Sequence, residues 1–229
     1  MEYCGKPIAS RSKYSTTNLR RCFKPKKHSG KCDEFPYLSH LSEVEPKVAG
    51  KIVRDSIMTT GASWKSEDAG PNRIMRWVML KSDRELLSLG INMSALKPQV
   101  VAKLREKAAD YSSCMAVAQK LTFLVYSMRN APTPPTEIAT YIENTVGPIV
   151  TNSTCCLVCL EPLDFNLFSA ARRGKAELET SHSNPRLHTS SNVGFAHRAC
   201  NIAQGNKNLD EFYDWIEAIL RRARPRLCR

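Results

Sequence analysis

Four residues in the last third of the chain have the types and spacing of a metal site. Cys156 and Cys159 flank two residues in "CLVC", and His197 and Cys200 flank two more in "HRAC". A two-residue spacer lets two side chains of one tight turn reach the same ion, and three thiolates with an imidazole suit tetrahedral zinc. Read without a metal, the same residues would be buried reduced thiols and a surface histidine. Cys155 is an alternative to Cys156, at a less usual spacing from Cys159. A second group, Cys4, Cys22, His28 and Cys32, has looser spacings and predicts a further zinc in a small basic loop.

Composition narrows the partners. The chain of 229 residues is 42% hydrophobic and carries a formal net charge of +12. It can therefore bury a real core, and its basic excess favours a polyanion. The charge is uneven: residues 1–32 hold nine Lys or Arg against Glu2 alone. A phosphate-contacting arm and a solvated basic tail both fit such a segment. No stretch approaches the roughly 20 apolar residues of a membrane span, and the N-terminus has no signal-like apolar run. A cytoplasmic protein without membrane contact is expected. In a reducing compartment its nine cysteines read as metal ligands more readily than as disulfides.

Three regions must position these residues. Residues 1–35 are polar and basic, a candidate zinc-binding finger; 36–150 read as a helical domain for DNA recognition or dimerisation; 151–229 hold the metal pairs. In the middle region, Val44, Val48, Ile52 or Val53, and Ile57 share a helical face, with Ser42 and Glu45 as a capping pair. A second helix is predicted from Pro71 to Gly90. The longest runs from Pro98 to Asn130 and ends at "APTPPT", with Cys114 as a small core residue. Downstream, "AELETSH" reads as a strand ending at His182, "SNPRLHTSS" as a loop, "NVGFA" as a return strand and "HRACNIAQ" as a helix. A last helix begins after Asn208, capped with Glu211, and turns Leu209, Phe212, Ile216, Ile219 and Leu220 to one face; its end, "RRARPRLCR", offers arginines to phosphates or to the helix dipole.

Strand, loop, strand and helix with two clamping pairs resemble a zinc-clamped HNH nuclease module, the ββα-metal fold, over about residues 153–208. The fold class expected is thus α+β, a mainly helical N-terminal and middle region followed by a C-terminal zinc-bound ββα-metal (HNH) module. The resemblance implies that His182 is the general base, an imidazole being mostly neutral at cellular pH. It implies that Asn192 orients the loop, and that Asn201 helps to hold a catalytic Mg2+ or Mn2+ beside the structural Zn2+. Gly205 stands where the family often has Lys-Gly. The family's Asp before the catalytic His is replaced by Ser181, a weak ligand. Glu179, two positions earlier, is expected on the same side of the strand and is a substitute ligand. His188 is expected at the loop surface, the alternative being a helper near the phosphate.

These implications amount to a divalent-metal-dependent endonuclease acting on double-stranded DNA, of restriction or phage type, with a homodimer suited to a palindromic site. The other class is a non-catalytic zinc-stabilised nucleic-acid-binding protein whose HNH site has degenerated at Ser181.

Overall fold

The computed structural model describes residues 4–8, 20–24, 26–59, 74–172 and 175–227. A short 3-10 turn at Pro36–Leu38 leads into α1 (Ser39–Val44) and α2 (Pro46–Ile57). The two helices are separate because Glu45 precedes a proline, which disfavours helical backbone there. Glu45 is thus the residue before α2, and no Ser42–Glu45 capping pair forms. Val48, Ile52 and Ile57 are buried as the periodicity predicts, while Val44, before the break, is exposed.

The expected helix from Pro71 is also broken. Pro71 lies outside the described residues; from Arg76 to Leu80 the chain makes a 3-10 turn, and α3 (Asp83–Ser88) starts afresh. Ser82 and Glu85 form a capping box at its start, Glu85 Oε2 accepting from the Ser82 N–H at 2.9 Å. The long helix from Pro98 divides for the same kind of reason. Its first part, α4 (Pro98–Glu106), stops before Asp110, whose Oδ1 accepts from Ser113 N–H at 2.8 Å and starts α5 (Tyr111–Tyr126). A polar side chain that satisfies orphan backbone donors ends one helix and begins the next.

Helix α5 is the centre of the core. Cys114, Val117, Ala118, Leu121 and Val125 are fully buried, and α2 and the hairpin described next pack against it. After α6 (Thr136–Thr145) come the minimal ladder β1 (Ala171–Arg172) and β2 (Lys175–Ala176), then β3 (Leu178–His182) and β4 (Val193–His197). The last two pair antiparallel, with Ser181 opposite Gly194 and His182 opposite Val193. The hairpin, its loop and the following helix α7 (Arg198–Gln204) have the order expected from the sequence. Gly194 brings the backbone close to the Leu157 side chain, which a Cβ would meet at 3.4 Å. Gly205 ends α7 at φ +61°, a conformation that glycine adopts without strain. In α8 (Leu209–Leu227) Asn208 and Glu211 exchange the predicted capping bonds, and Phe212 is buried while Leu220 remains exposed.

One apolar cluster runs from Phe35 and Tyr37 through α5 to Phe195 and Phe212. Among the described residues, no helix is long and apolar enough to cross a membrane.

Candidate active site

Both cysteine-histidine groups come together. The ligand atoms of Cys156, Cys159, His197 and Cys200 lie within 4.8 Å of one another, as do those of Cys4, Cys22, His28 and Cys32. Metal–ligand lengths of about 2.0–2.3 Å in a tetrahedron require edges of about 3.5–3.8 Å. The observed edges include 3.4 Å from Cys159 Sγ to His197 Nδ1, 3.4 Å from Cys22 Sγ to His28 Nε2 and 4.0 Å between the sulfurs of Cys4 and Cys32. The donor sets therefore fit zinc in both places. Cys155 is not used: its thiol is exposed and faces the Ser153 carbonyl.

One thiol of each cluster, Cys156 and Cys22, is shifted toward its anion. Burial alone would raise Cys156, but backbone N–H groups of Cys159, Val158 and His197 aimed at the sulfur outweigh it and hold the thiol below its ordinary value. Burial would likewise raise Cys22, and the backbone N–H groups of Asp33 and Lys24 overcome it and hold the thiol below its ordinary value. The later thiols pay for this crowding: burial, then the neighbouring sulfurs, push Cys32 up to about 11 and Cys200 up to about 12. Three thiolates crowded beside an imidazole are stabilised together by a cation. The N-terminal cluster is docked on the body. Tyr111 OH accepts from Arg21 N–H and donates to Glu34 Oε1, while Arg20 pairs with Glu34.

On the hairpin, Asn192 secures the loop from both ends of its amide. Its Oδ1 accepts from Ser183 Oγ and Asn184 N–H, and its Nδ2 donates to the carbonyls of Asn184 and Leu187, all at 2.6–2.8 Å. Gln204 of α7 fixes the strand end by donating to the His182 carbonyl at 2.9 Å. Asn201 Nδ2 donates to Glu179 Oε2 at 2.8 Å, so its amide oxygen stays without a partner among the described residues. Glu179 also pairs with Arg198. Ser181 lies elsewhere: its hydroxyl is buried and faces Gln204 Oε1 at 3.3 Å. The structure thus brings Asn201 and Glu179 together, whereas Ser181, expected beside Glu179 as a ligand, is turned into the packing between hairpin and α7.

His188 corrects the expectation of a surface residue. It is only 4% exposed, with Nδ1 at 3.1 Å from His182 Nε2 and Nε2 at 2.7 Å from the Ser56 carbonyl at the end of α2. The loop folds inward because α2 offers an orphan helix-terminal carbonyl there. Beside it, Asp55 accepts from Thr180 Oγ1 at 2.9 Å and pairs with Lys51 and Arg54. Burial would raise the Asp55 carboxyl, yet those two cations hold it below its usual value.

Hairpin, α2 and α4 together wall a cleft of about 640 Å³. His182, Glu179 and Asn201 lie on one side, and Lys103, Lys107 and Arg186 add positive charge. Arg76 is buried at the cleft and donates to the Asp55 and Lys107 carbonyls, joining the ends of α2 and α4. Burial first, then Arg76 and Lys107, lowers His182 to about 4, with Asp55 opposing. Burial and then Arg76 bring His188 to about 3. Both imidazoles are neutral near pH 7. Sequence reasoning missed Asp55, Arg76 and the role of Ser56; one signal was available, since Arg76 interrupts the apolar run "IMRWVML".

A family model described as DraIII matches residues 34–200. A crystal structure described as that of a type II restriction endonuclease is 45% identical, covers 98% of this chain and 99% of its own, and superposes with a TM-score of 0.83. A search of curated proteins finds no match.

Proposed function

Starting from the chain's membership of the DraIII family, we propose that it is a divalent-metal-dependent endonuclease of HNH type that cuts double-stranded DNA at specific sites. The observation that carries this reading is the meeting of His182 with Asn201 and Glu179 in a cationic cleft, on a hairpin and helix joined by a Cys3His cluster. The likeness to a type II restriction endonuclease over nearly the whole chain supports site-specific cleavage.

His182, neutral near pH 7, takes a proton from the water that attacks the scissile phosphorus. Lys103, Lys107 and Arg186 bind the phosphodiester backbone and orient it for in-line attack. The Asn201 amide oxygen and a Glu179 carboxylate oxygen would hold Mg2+ or Mn2+, hard donors suited to a hard cation. That ion, when bound, supplies stabilisation of the charge on the phosphate and the leaving oxygen. Asn192 keeps the loop, and with it His182, in place. Cys156, Cys159, His197 and Cys200 would hold Zn2+ that clamps the hairpin to α7, and Cys4, Cys22, His28 and Cys32 would hold a second Zn2+ in a basic finger on DNA. Residues 36–150 supply recognition or dimerisation and 151–229 the nuclease module. A homodimer would match a two-fold recognition site.

A second reading, a zinc-stabilised binding protein without chemistry, draws on the burial of Ser181 and the pairing of Glu179 with Arg198. Incubation of plasmid and phage DNA with wild type and His182→Ala, in Mg2+ or Mn2+ and then in EDTA, separates the two. The nuclease gives discrete, metal-dependent fragments from wild type alone. Intact DNA throughout, with salt-sensitive binding retained, would transfer the conclusion to the binding protein.

A further inference from the structure

His182 and His188 hold a chain of polar contacts whose direction can be read. It runs from His182 Nε2 to His188 Nδ1 at 3.1 Å and from His188 Nε2 to the Ser56 carbonyl at 2.7 Å. A carbonyl oxygen only accepts, so His188 Nε2 carries a hydrogen. His188 is buried close to Arg76 and Lys107, surroundings that keep an imidazole neutral. A neutral ring has one N–H, which leaves a lone pair on His188 Nδ1. Two lone pairs do not face each other at hydrogen-bond distance, so the hydrogen between the rings belongs to His182 Nε2.

We propose that His188 is a positioning residue that fixes His182 as the Nε2–H tautomer and leaves Nδ1 as its basic nitrogen. The inference rests on the reading of His182 as the general base. Nδ1 has no hydrogen-bond partner among the described residues, and His182 lines the cleft. The proton taken from water would reside on Nδ1, while Nε2–H continues to donate to His188. His188 stays neutral, and the bond between the rings becomes charge-assisted as His182 turns cationic. Its anchor is supplied by another part of the chain: Ser56 is in the last turn of α2, 132 residues from His188. The base therefore acquires its tautomer only when α2 and the hairpin are packed together.

The test has a spectroscopic and a kinetic arm, both on the full-length zinc-loaded protein. Long-range 1H–15N correlation of 15N-histidine-labelled wild type distinguishes protonated from bare ring nitrogens, and the chain's five histidines keep assignment tractable. His182 is expected with Nε2 protonated and Nδ1 bare. Kinetically, His188→Leu removes the acceptor, whereas His188→Asn keeps an oxygen close to where Nδ1 sits. Loss of an orienting partner of this kind costs about 10- to 100-fold in rate, and Asn should recover about tenfold of it, with DNA affinity in Ca2+ changed by less than about twofold. An Nδ1–H tautomer in the wild type would overturn the proposal, as would equal losses in the Leu and Asn variants. Should the Leu variant fail to fold, the wild-type spectrum still decides. Cleavage by His182→Ala at the wild-type rate would instead sink the nuclease role of His182 and leave the tautomer standing.

Discussion

If the cleft holds the DNA backbone, three of its cations should account for a measurable part of the salt dependence of binding. Lys51 and Arg54 are paired with Asp55, and Arg76 is buried with both terminal nitrogens on carbonyls. Lys103, Lys107 and Arg186 line the same cleft and make no ion pair among the described residues. Each phosphate neutralised on duplex DNA adds about 0.9 to the slope of log affinity against log salt, so removing all three should flatten it by about 2.7. Between 50 and 200 mM salt, that difference makes wild type lose about 40-fold more affinity than the triple alanine variant. The assay is fluorescence anisotropy with a labelled duplex, on a His182→Ala background so that no DNA is cut. Lys81→Ala, which breaks only the pair with Glu85, is the control and should leave the slope unchanged. A slope that falls by less than about 1 in the triple variant would show that the backbone does not run along this cleft.

Two other perturbations test the supports of the site. Elemental analysis should find two zinc ions per chain, falling to one in Cys156→Ser and to one in Cys22→Ser, since each cluster supplies its own four ligands. Structural zinc contributes on the order of 10 kcal/mol of apparent folding free energy, so Cys156→Ser should also lose cleavage and hydrogen-exchange protection in β3 and β4; two ions retained in that variant would refute the ligand set. At the start of α5, Asp110→Ala should cost about 1 kcal/mol in urea unfolding, the usual loss of an N-cap. Hydrogen bonds first from Ser112, then from Ser113, depress the Asp110 carboxyl to about 2 in the folded chain. Its contribution is therefore complete above the unfolded-state value near 4 and is lost as pH falls through about 2. The difference between wild type and Asp110→Ala should shrink across that window, and a difference that grows on acidification would contradict the cap.

What could be read from the sequence was local. Cys156 with Cys159, and His197 with Cys200, announce themselves because the metal demands a short spacer, and the hairpin between them is bounded by turn formers at Asn184, Pro185 and Ser190–Asn192. The helices were misread where a polar side chain competes with the periodic pattern. Asp110 and Ser82 each satisfy backbone donors and so restart a helix inside an apolar run, and Pro46 forces Glu45 out of helical backbone. His188 was misread for a different reason. Its loop is polar and turn-rich, and nothing within the loop reveals the carbonyl of Ser56 that draws it inward.

That carbonyl explains why half of the site was legible and half was not. His182, Asn192 and Asn201 sit within one short stretch, where the local pattern places His182 on a strand and Asn201 on a helix, and the resemblance to the HNH module gives Asn192 its place in the loop. The groups that set their chemistry come from far away. Burial by the distant helices, then Arg76 and Lys107, lowers both imidazoles, Asp55 holds Thr180, and Ser56 receives the hydrogen of His188. Such contacts depend on α2 and α4 ending at the same point, which Arg76 secures by donating to a carbonyl at each helix end. A cation buried there survives because two helix C-termini face it, and burial still lowers it to about 10. The residue that looked least at home in its apolar run is therefore the one that joins the helical region to the hairpin. A charged residue inside an apolar segment of this kind marks the place where a distant part of the chain has to arrive.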